Sequence, residues 1–340
     1  MRARATILEI QILRAVAALA VVVMHIGIEL RYWAKATLTW TEAGNAGVDL
    51  FFVISGFIMV FIAWDRFGSR GAPVDFFVRR LIRIVPLYWL VTTGYVLANS
   101  YPASRIITSY LFVPDFSANA APLPVVLQGW TLNYEMFFYL VLALALFLPR
   151  LIAISCVSAL LAALVLLKVP TYGNSVMLEF VLGLWIGWAF QRALQLPLPL
   201  RLAAIAAGTA AIAATIFLPS QDRLIFFGIP AALIVAGATL GAPIGNGRVV
   251  RTLVLLGDAS YALYLTHPLM TRLFATTVRH VAGLDSLASQ ALYFVIALAT
   301  SIGFAILVHL VIERPITTTL QRWWARRHGA TAPAPKLSGG

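Results

Sequence analysis

Apolar runs long enough to cross a bilayer recur along this chain, separated by short polar or proline-bearing stretches. A span needs about 17–25 mostly apolar residues. That window picks out helices at approximately 12–30, 46–64, 84–100, 131–148, 151–168, 176–190, 201–217, 223–240, 251–271 and 291–312. The pattern predicts an all-α polytopic membrane protein, a bundle of about ten transmembrane helices within residues 1–315. Residues 316–340 read as a basic and then disordered tail, since Ala, Pro and Gly dominate its end. Arg2 and Arg4 before an apolar stretch resemble a signal peptide. The small-residue run 15–20 opens the apolar region instead of closing it, so the segment is kept as the first helix.

The informative positions are the polar interruptions. In 12–30 these are Arg14, His25 and Glu29. A charged side chain at the centre of a spanning helix costs about 2.5–3.5 kcal/mol on insertion scales, so such groups are usually kept for a task. At about 100° and 1.5 Å per residue, His25 returns to within roughly 20° of Arg14 and about 16 Å further along. Glu29 follows one turn later on the same stripe. The plain alternative is that Arg14 snorkels, Glu29 lies in the opposite interface and His25 is a packed neutral ring.

The second helix opens GVDLFFVISGF, 47–57, with Asp49 on the side of His25. Its glycines and Ser55 suit close packing, and no G-x-S-x-G elbow is present. Residues 65–83 read as a loop holding five arginines, of which Arg80 and Arg83 are spaced to fork around phosphate oxygens or simply to set topology. The loop 99–130 is long enough to form a lid, and its part 106–113 could dip into the interface. In WTLNYEMFFYL, 130–140, Glu135 enters the membrane between the belt aromatics Tyr134 and Tyr139. The spans within 151–240 read as scaffold. In LGDASYALYLTHPLM, 256–270, Asp258 and His267 mark the two ends of a span, and His267-Pro268 reads as a helix terminus. His309 and Glu313 stand one turn apart at the end of the last span.

Composition agrees: 61% hydrophobic and 11% charged residues, with a mean hydropathy of +0.89, leave too little polar surface for a soluble domain. A net charge of +12 need not mean nucleic acid, because 18 of the 25 Lys and Arg fall on one side of the predicted topology. The positive-inside rule then puts both termini in the cytoplasm. The single Cys156 excludes an internal disulfide and reads as a small buried hydrophobe. No metal cluster or glycine-rich nucleotide loop is visible.

Together, Arg14 with His25, GVDLFFVISGF, Arg80-x-x-Arg83 before IVPLYW, WTLNYEMFFY, SYALYLTHP and the closing IERP resemble the membrane-bound acyltransferase-3 family, over residues 7 to 315. LRAVAALAVVVMH and FFVRRLIRIVPLYW are similar to its exopolysaccharide-production branch. The resemblance implies a multi-pass enzyme of the bacterial inner membrane that moves an acyl group, usually acetyl, from cytoplasmic acyl-CoA to a sugar hydroxyl of an exopolysaccharide or lipid-linked glycan. It implies activity at Arg14, His25, Arg80, Arg83 and Glu135, acetyl-CoA as donor, no metal, and polysaccharide-assembly proteins as further partners. The family's appended esterase-like domain is absent, so the membrane domain or a separate partner would complete the transfer.

An imidazole with a pKa near about 6.5 can take the proton of an attacking hydroxyl. His25 is thus the expected general base, with Glu29 or Glu135 orienting its ring; an acyl-histidine route stays open. Arg80 and Arg83, with Arg14, are expected to hold the CoA phosphates. Asp49, Tyr139 and His267 are acceptor-side candidates. Competing classes are a transporter of a lipid-linked sugar or small anion using His25 and Glu29 as a proton relay, and a non-catalytic assembly partner.

Overall fold

A computed structural model describes residues 7–36, 38–115, 123–217, 222–245 and 247–328. Among these the chain is helical and carries no strand. Helices α1 (Leu8–Ala34), α2 (Ala46–Ala63), α3 (Ala72–Ala98) and α4 (Ala103–Leu111) are followed by α5 (Gly129–Ala145), α6 (Arg150–Leu166), α7 (Met177–Gln191) and α8 (Leu198–Ala214). A π-helical turn, Leu224–Gly228, leads into α9 (Ile229–Thr239); α10 (Arg248–Asp258) and α11 (Ser260–Ala282) follow. Finally α12 (Leu287–Val308) passes through a second π-helical turn, His309–Glu313, into α13 (Arg314–Arg327).

Four helical stretches are long and apolar enough to cross a membrane: Leu8–Ala34, Thr39–Ala63, Ala72–Ala98 and Leu287–Arg327. The pair α10 and α11, bent by 70°, makes a fifth if it is one span. The others are shorter, 17 residues in α5, α6 and α8 and 15 in α7, below the about 20 residues that a 30 Å hydrocarbon layer asks of an upright helix.

Three differences from the sequence reading have local causes. The third helix starts at Ala72, not near 84, because Gly71 and Pro73 supply its natural opening; Arg79, Arg80 and Arg83 are helical, not loop, residues. Pro268 does not end a helix: α11 runs through it to Ala282. Cys156 is exposed on the outer face of α6, whose buried stripe is Ala153, Ile154, Val157 and Leu161. Part of the long loop is ordered as α4, anchored where Arg105 Nη2 donates to Pro124 O at 2.8 Å. The tail segment Arg314–Arg327 is helical and docks on α3, Trp324 Nε1 donating to Asp75 Oδ1 at 2.8 Å; residues 329–340, expected to be disordered, lie outside the described residues.

Two close approaches set the core. Helices α2 and α7 cross backbone to backbone at Gly56 and Gly183, where a Cβ on Gly56 would come within 3.0 Å of Gly183 Cα. Small residues allow this contact in the absence of any hydrophobic drive between helices in lipid. At the other crossing, Gly257 at the bend between α10 and α11 lies against the backbone of Gln11 on α1. That bend delivers Ser260 to Arg14.

Candidate functional site

The bundle encloses a cavity of about 140 Å³ whose wall includes Arg14, Arg80, Arg83, Ser55, Glu135 and Tyr139. It is built from five helices, α1, α2, α3, α5 and α11, which is why residues so far apart in sequence meet. The motif SYALYLTHP contributes Ser260, Tyr261 and Tyr264, an i, i+1, i+4 set on one face of α11.

The three arginines are engaged differently. Arg14 donates to Ser260 Oγ from Nη2 at 3.0 Å and Nε at 3.2 Å. Arg83 is ion-paired with Glu313, whose other oxygen meets His309 Nδ1 at 2.8 Å. Arg80 Nε is buried without a hydrogen-bond partner among the described residues. The expected two-armed fork is therefore asymmetric: Glu313 of IERP already occupies Arg83, and Arg80 is the open arm. Three guanidinium groups face the cavity against one lining carboxylate, Glu135, so the space favours an anion.

Glu135 is held inside the bundle. Ser55 Oγ donates to its Oε1 at 3.1 Å, and Tyr139 OH donates to the same oxygen. Ser55, read as packing, thus lines the cavity, and Tyr139 is a buried cavity residue rather than an interfacial one.

His25 lies beyond the cavity wall. Thr131 Oγ1 and Tyr264 OH are 3.0 Å apart, and both donate to Gln128 O, at 3.0 and 3.2 Å. Behind this partition Gln128 Nε2 stands 3.5 Å from His25 Nε2. The ring is oriented by its own helix: Nδ1 is 2.9 Å from Val21 O, an acceptor, so in the neutral ring Nδ1 carries the proton and Nε2 the lone pair. This replaces the expectation that Glu29 or Glu135 orients the ring. Glu29 Oε2 instead accepts from Trp33 Nε1 at 2.9 Å, and Glu135 is engaged in the cavity.

His267 is fully buried and stands edge-on to His25, ring centroids 4.6 Å apart. Its Nδ1 lies 3.0 Å from Leu263 O and its Nε2 has no partner among the described residues. Asp49, placed with His25 by sequence, belongs to neither. It is fully buried on α2 and takes a two-point contact from Arg223, Nε and Nη2 each at 2.8 Å, with the equally buried Glu179 beside it. Among the described residues no group of three or more metal-ligating side chains occurs.

Sequence reasoning thus missed Ser55, Gln128, Thr131 and the binding of Arg83 by Glu313. The i, i+4 spacing of His309 and Glu313 was a visible signal for the last; the others carry none.

Residues 7–310 match the profile of the Acyltransferase domain family. The chain is 39% identical over 306 residues to the Exopolysaccharide production protein ExoZ of Rhizobium meliloti (strain 1021), covering 84% of this chain and 92% of that protein. It is 29% identical to Acyltransferase MdmB of Streptomyces mycarofaciens, covering 95% of this chain and 94% of that one. Over 38% of its length it is 26% identical to Peptidoglycan O-acetyltransferase OatA of Listeria monocytogenes serovar 1/2a (strain ATCC BAA-679 / EGD-e), covering 22% of that protein. No solved structure matches the chain.

Proposed function

We propose a function from the premise that this chain belongs to the acyltransferase family: it moves an acetyl group from cytoplasmic acetyl-CoA to a sugar hydroxyl of an exopolysaccharide or lipid-linked glycan. In this reading about ten helices span the bacterial inner membrane with both termini in the cytoplasm. The shorter ones cross with local thinning of the bilayer.

One observation carries the reading: an anion-favouring cavity walled by Arg14, Arg80 and Arg83 ends at a partition, and directly behind it stands a base whose Nε2 lone pair meets only the long 3.5 Å contact of the Gln128 amide. A cavity of about 140 Å³ is smaller than the ~300–1,000 Å³ of drug-sized sites and close to one that holds a benzene-sized group, so it would take the thioester end of the donor and leave the rest of the pantetheine arm and the nucleotide outside. Arg80 would meet phosphate at its mouth. His25 Nε2 removes the proton of the sugar hydroxyl as that oxygen attacks the thioester carbonyl. The C–S bond breaks and the thiolate takes up the proton, leaving an ester and free CoA. For the two to meet, Gln128, Thr131 and Tyr264 must part.

The test is transfer of labelled acetyl from acetyl-CoA to glycan by protein in vesicles. His25→Ala should fold normally and lose about 10²–10⁴-fold in rate. Unchanged transfer by that variant removes His25 from the reaction.

A further inference from the structure

Helix α5 has a second working face. Thr131, Glu135 and Tyr139, at i, i+4 and i+8, line the arginine cavity. Trp130, Asn133 and Tyr134, at i, i+3 and i+4, point to the opposite side and line a separate groove of about 470 Å³. That volume lies within the usual range for small-molecule clefts.

The groove has the composition of a sugar site. Trp130 and Tyr134 meet edge to face, ring centroids 5.8 Å apart and planes at 88°, which makes an apolar corner with π surfaces. Asn133 is 3% exposed, lines the groove, and its Oδ1 has no hydrogen-bond partner among the described residues. A buried amide without partners is costly, and a hydroxyl-bearing ligand would satisfy it. Across the groove stand Lys168, Thr171 and Asn174, on the connection between α6 and α7.

That rim is held in an unusual shape. Lys168 and Thr171 both have left-handed backbones, φ +50° and +63°. A β-branched residue there is strained, and strain of this kind gathers at ligand sites. Tyr134 OH donates to Thr171 O at 3.0 Å, tying the strained rim to the aromatic corner.

We propose that this groove binds a pyranose ring of the acceptor glycan, with an acidic substituent such as a uronate directed at Lys168. The inference rests on the acyl-transfer reading above and extends it. Because the groove and the face toward His25 and Glu135 lie on opposite sides of α5, a helix about 10 Å across, the ring held in the groove is not the ring that is acylated. The acceptor is therefore an oligosaccharide or polymer long enough to pass over the end of α5 beside Gln128, and a monosaccharide is a poor substrate.

Binding to the purified full chain can be measured by calorimetry with two probes: a β-linked glucose tetrasaccharide and the same chain ending in glucuronate. Both are expected to bind saturably, the acidic one more tightly. Trp130→Ala and Asn133→Leu should each weaken both at least tenfold. Lys168→Gln, an exposed rim change with little bearing on folding, should weaken the acidic probe alone. His25→Ala should leave binding untouched, so loss of transfer in that variant does not bear on the groove. Absence of saturable binding by the wild-type chain, or an acidic-probe affinity that Lys168→Gln leaves unaltered, overturns the proposal. Binding that depends on Trp130 in a protein that transfers no acetyl would instead support the groove and overturn the acyl-transfer reading.

Discussion

Arg80 and Arg83 sit one turn apart on α3 and line the same cavity, yet replacing each by methionine should move stability in opposite directions. Arg83 is paired with Glu313, which is 2% exposed. Arg83→Met leaves that carboxylate with His309 alone, and breaking a buried pair from one side costs about 3–5 kcal/mol. Arg80 Nε has no partner, so the folded protein already bears the desolvation cost of an unsatisfied buried donor, about 1–3 kcal/mol. Arg80→Met keeps most of the side-chain volume and removes that cost, so the variant should be as stable as the wild type or more so.

The order reverses for the donor. Losing one charge-assisted contact to phosphate removes about 1.5–3 kcal/mol, or roughly 10- to 150-fold in Kd for acetyl-CoA at Arg80→Met. Thermal unfolding with and without acetyl-CoA reads both quantities, since a ligand that binds only the folded state raises its stability. The double variant Arg83→Met/Glu313→Leu should recover most of the stability lost by Arg83→Met alone, because neither charge is then left unpaired. If Arg80→Met destabilises the protein as much as Arg83→Met does, or leaves acetyl-CoA affinity unchanged, Arg80 is a structural residue and the assignment of the two arms fails.

Two further outcomes can be checked on the same preparations. Tyr139→Phe removes one of the two hydroxyl donors to Glu135 and should cost about 1–3 kcal/mol in thermal unfolding, with a fall in acetyl transfer; an unaltered melting temperature would mean that Glu135 does not need the contact. Gly183→Val puts a branched side chain where α7 meets the backbone of Val53 and Gly56, and should cost about 1–3 kcal/mol or more, read as lost monodisperse protein in detergent; a normal yield would show that α2 and α7 do not cross so closely.

Much of this arrangement was legible in the sequence, for physical reasons. Arg14 and His25 recur on one helical stripe because eleven residues make nearly three whole turns, and the structure sets them on the two sides of the same partition. Glu135 turns inward as its cost in a membrane implied, and Arg80 and Arg83, read as loop residues, meet it in the same cavity from α3. What failed was partner choice. Glu29 and His25 share a stripe, but a histidine nitrogen can be satisfied by the carbonyl one turn back, and Val21 O supplies it. Asp49 looked like a neighbour of His25 because both lie toward one end of their helices. Helix ends fix depth and not azimuth, and Arg223, 174 positions away, took it instead. The groove behind α5 was illegible for the same reason. Tyr134 reads as a belt aromatic until the strained turn at Lys168 and Thr171 is seen to face it and Trp130 across the groove.

The hydrogen-bonded trio of Gln128, Thr131 and Tyr264 has a consequence for the cell as well as for the reaction. In the proposed orientation the arginine-lined cavity faces the cytoplasm and His25 the other side, and without that plug the two would be halves of a proton path across the membrane. In that orientation one backbone carbonyl and two hydroxyls would keep protons from passing between the compartments of the two proposed substrates. Removing the hydroxyls of Thr131 and Tyr264 would then open a proton leak together with the path between the substrates.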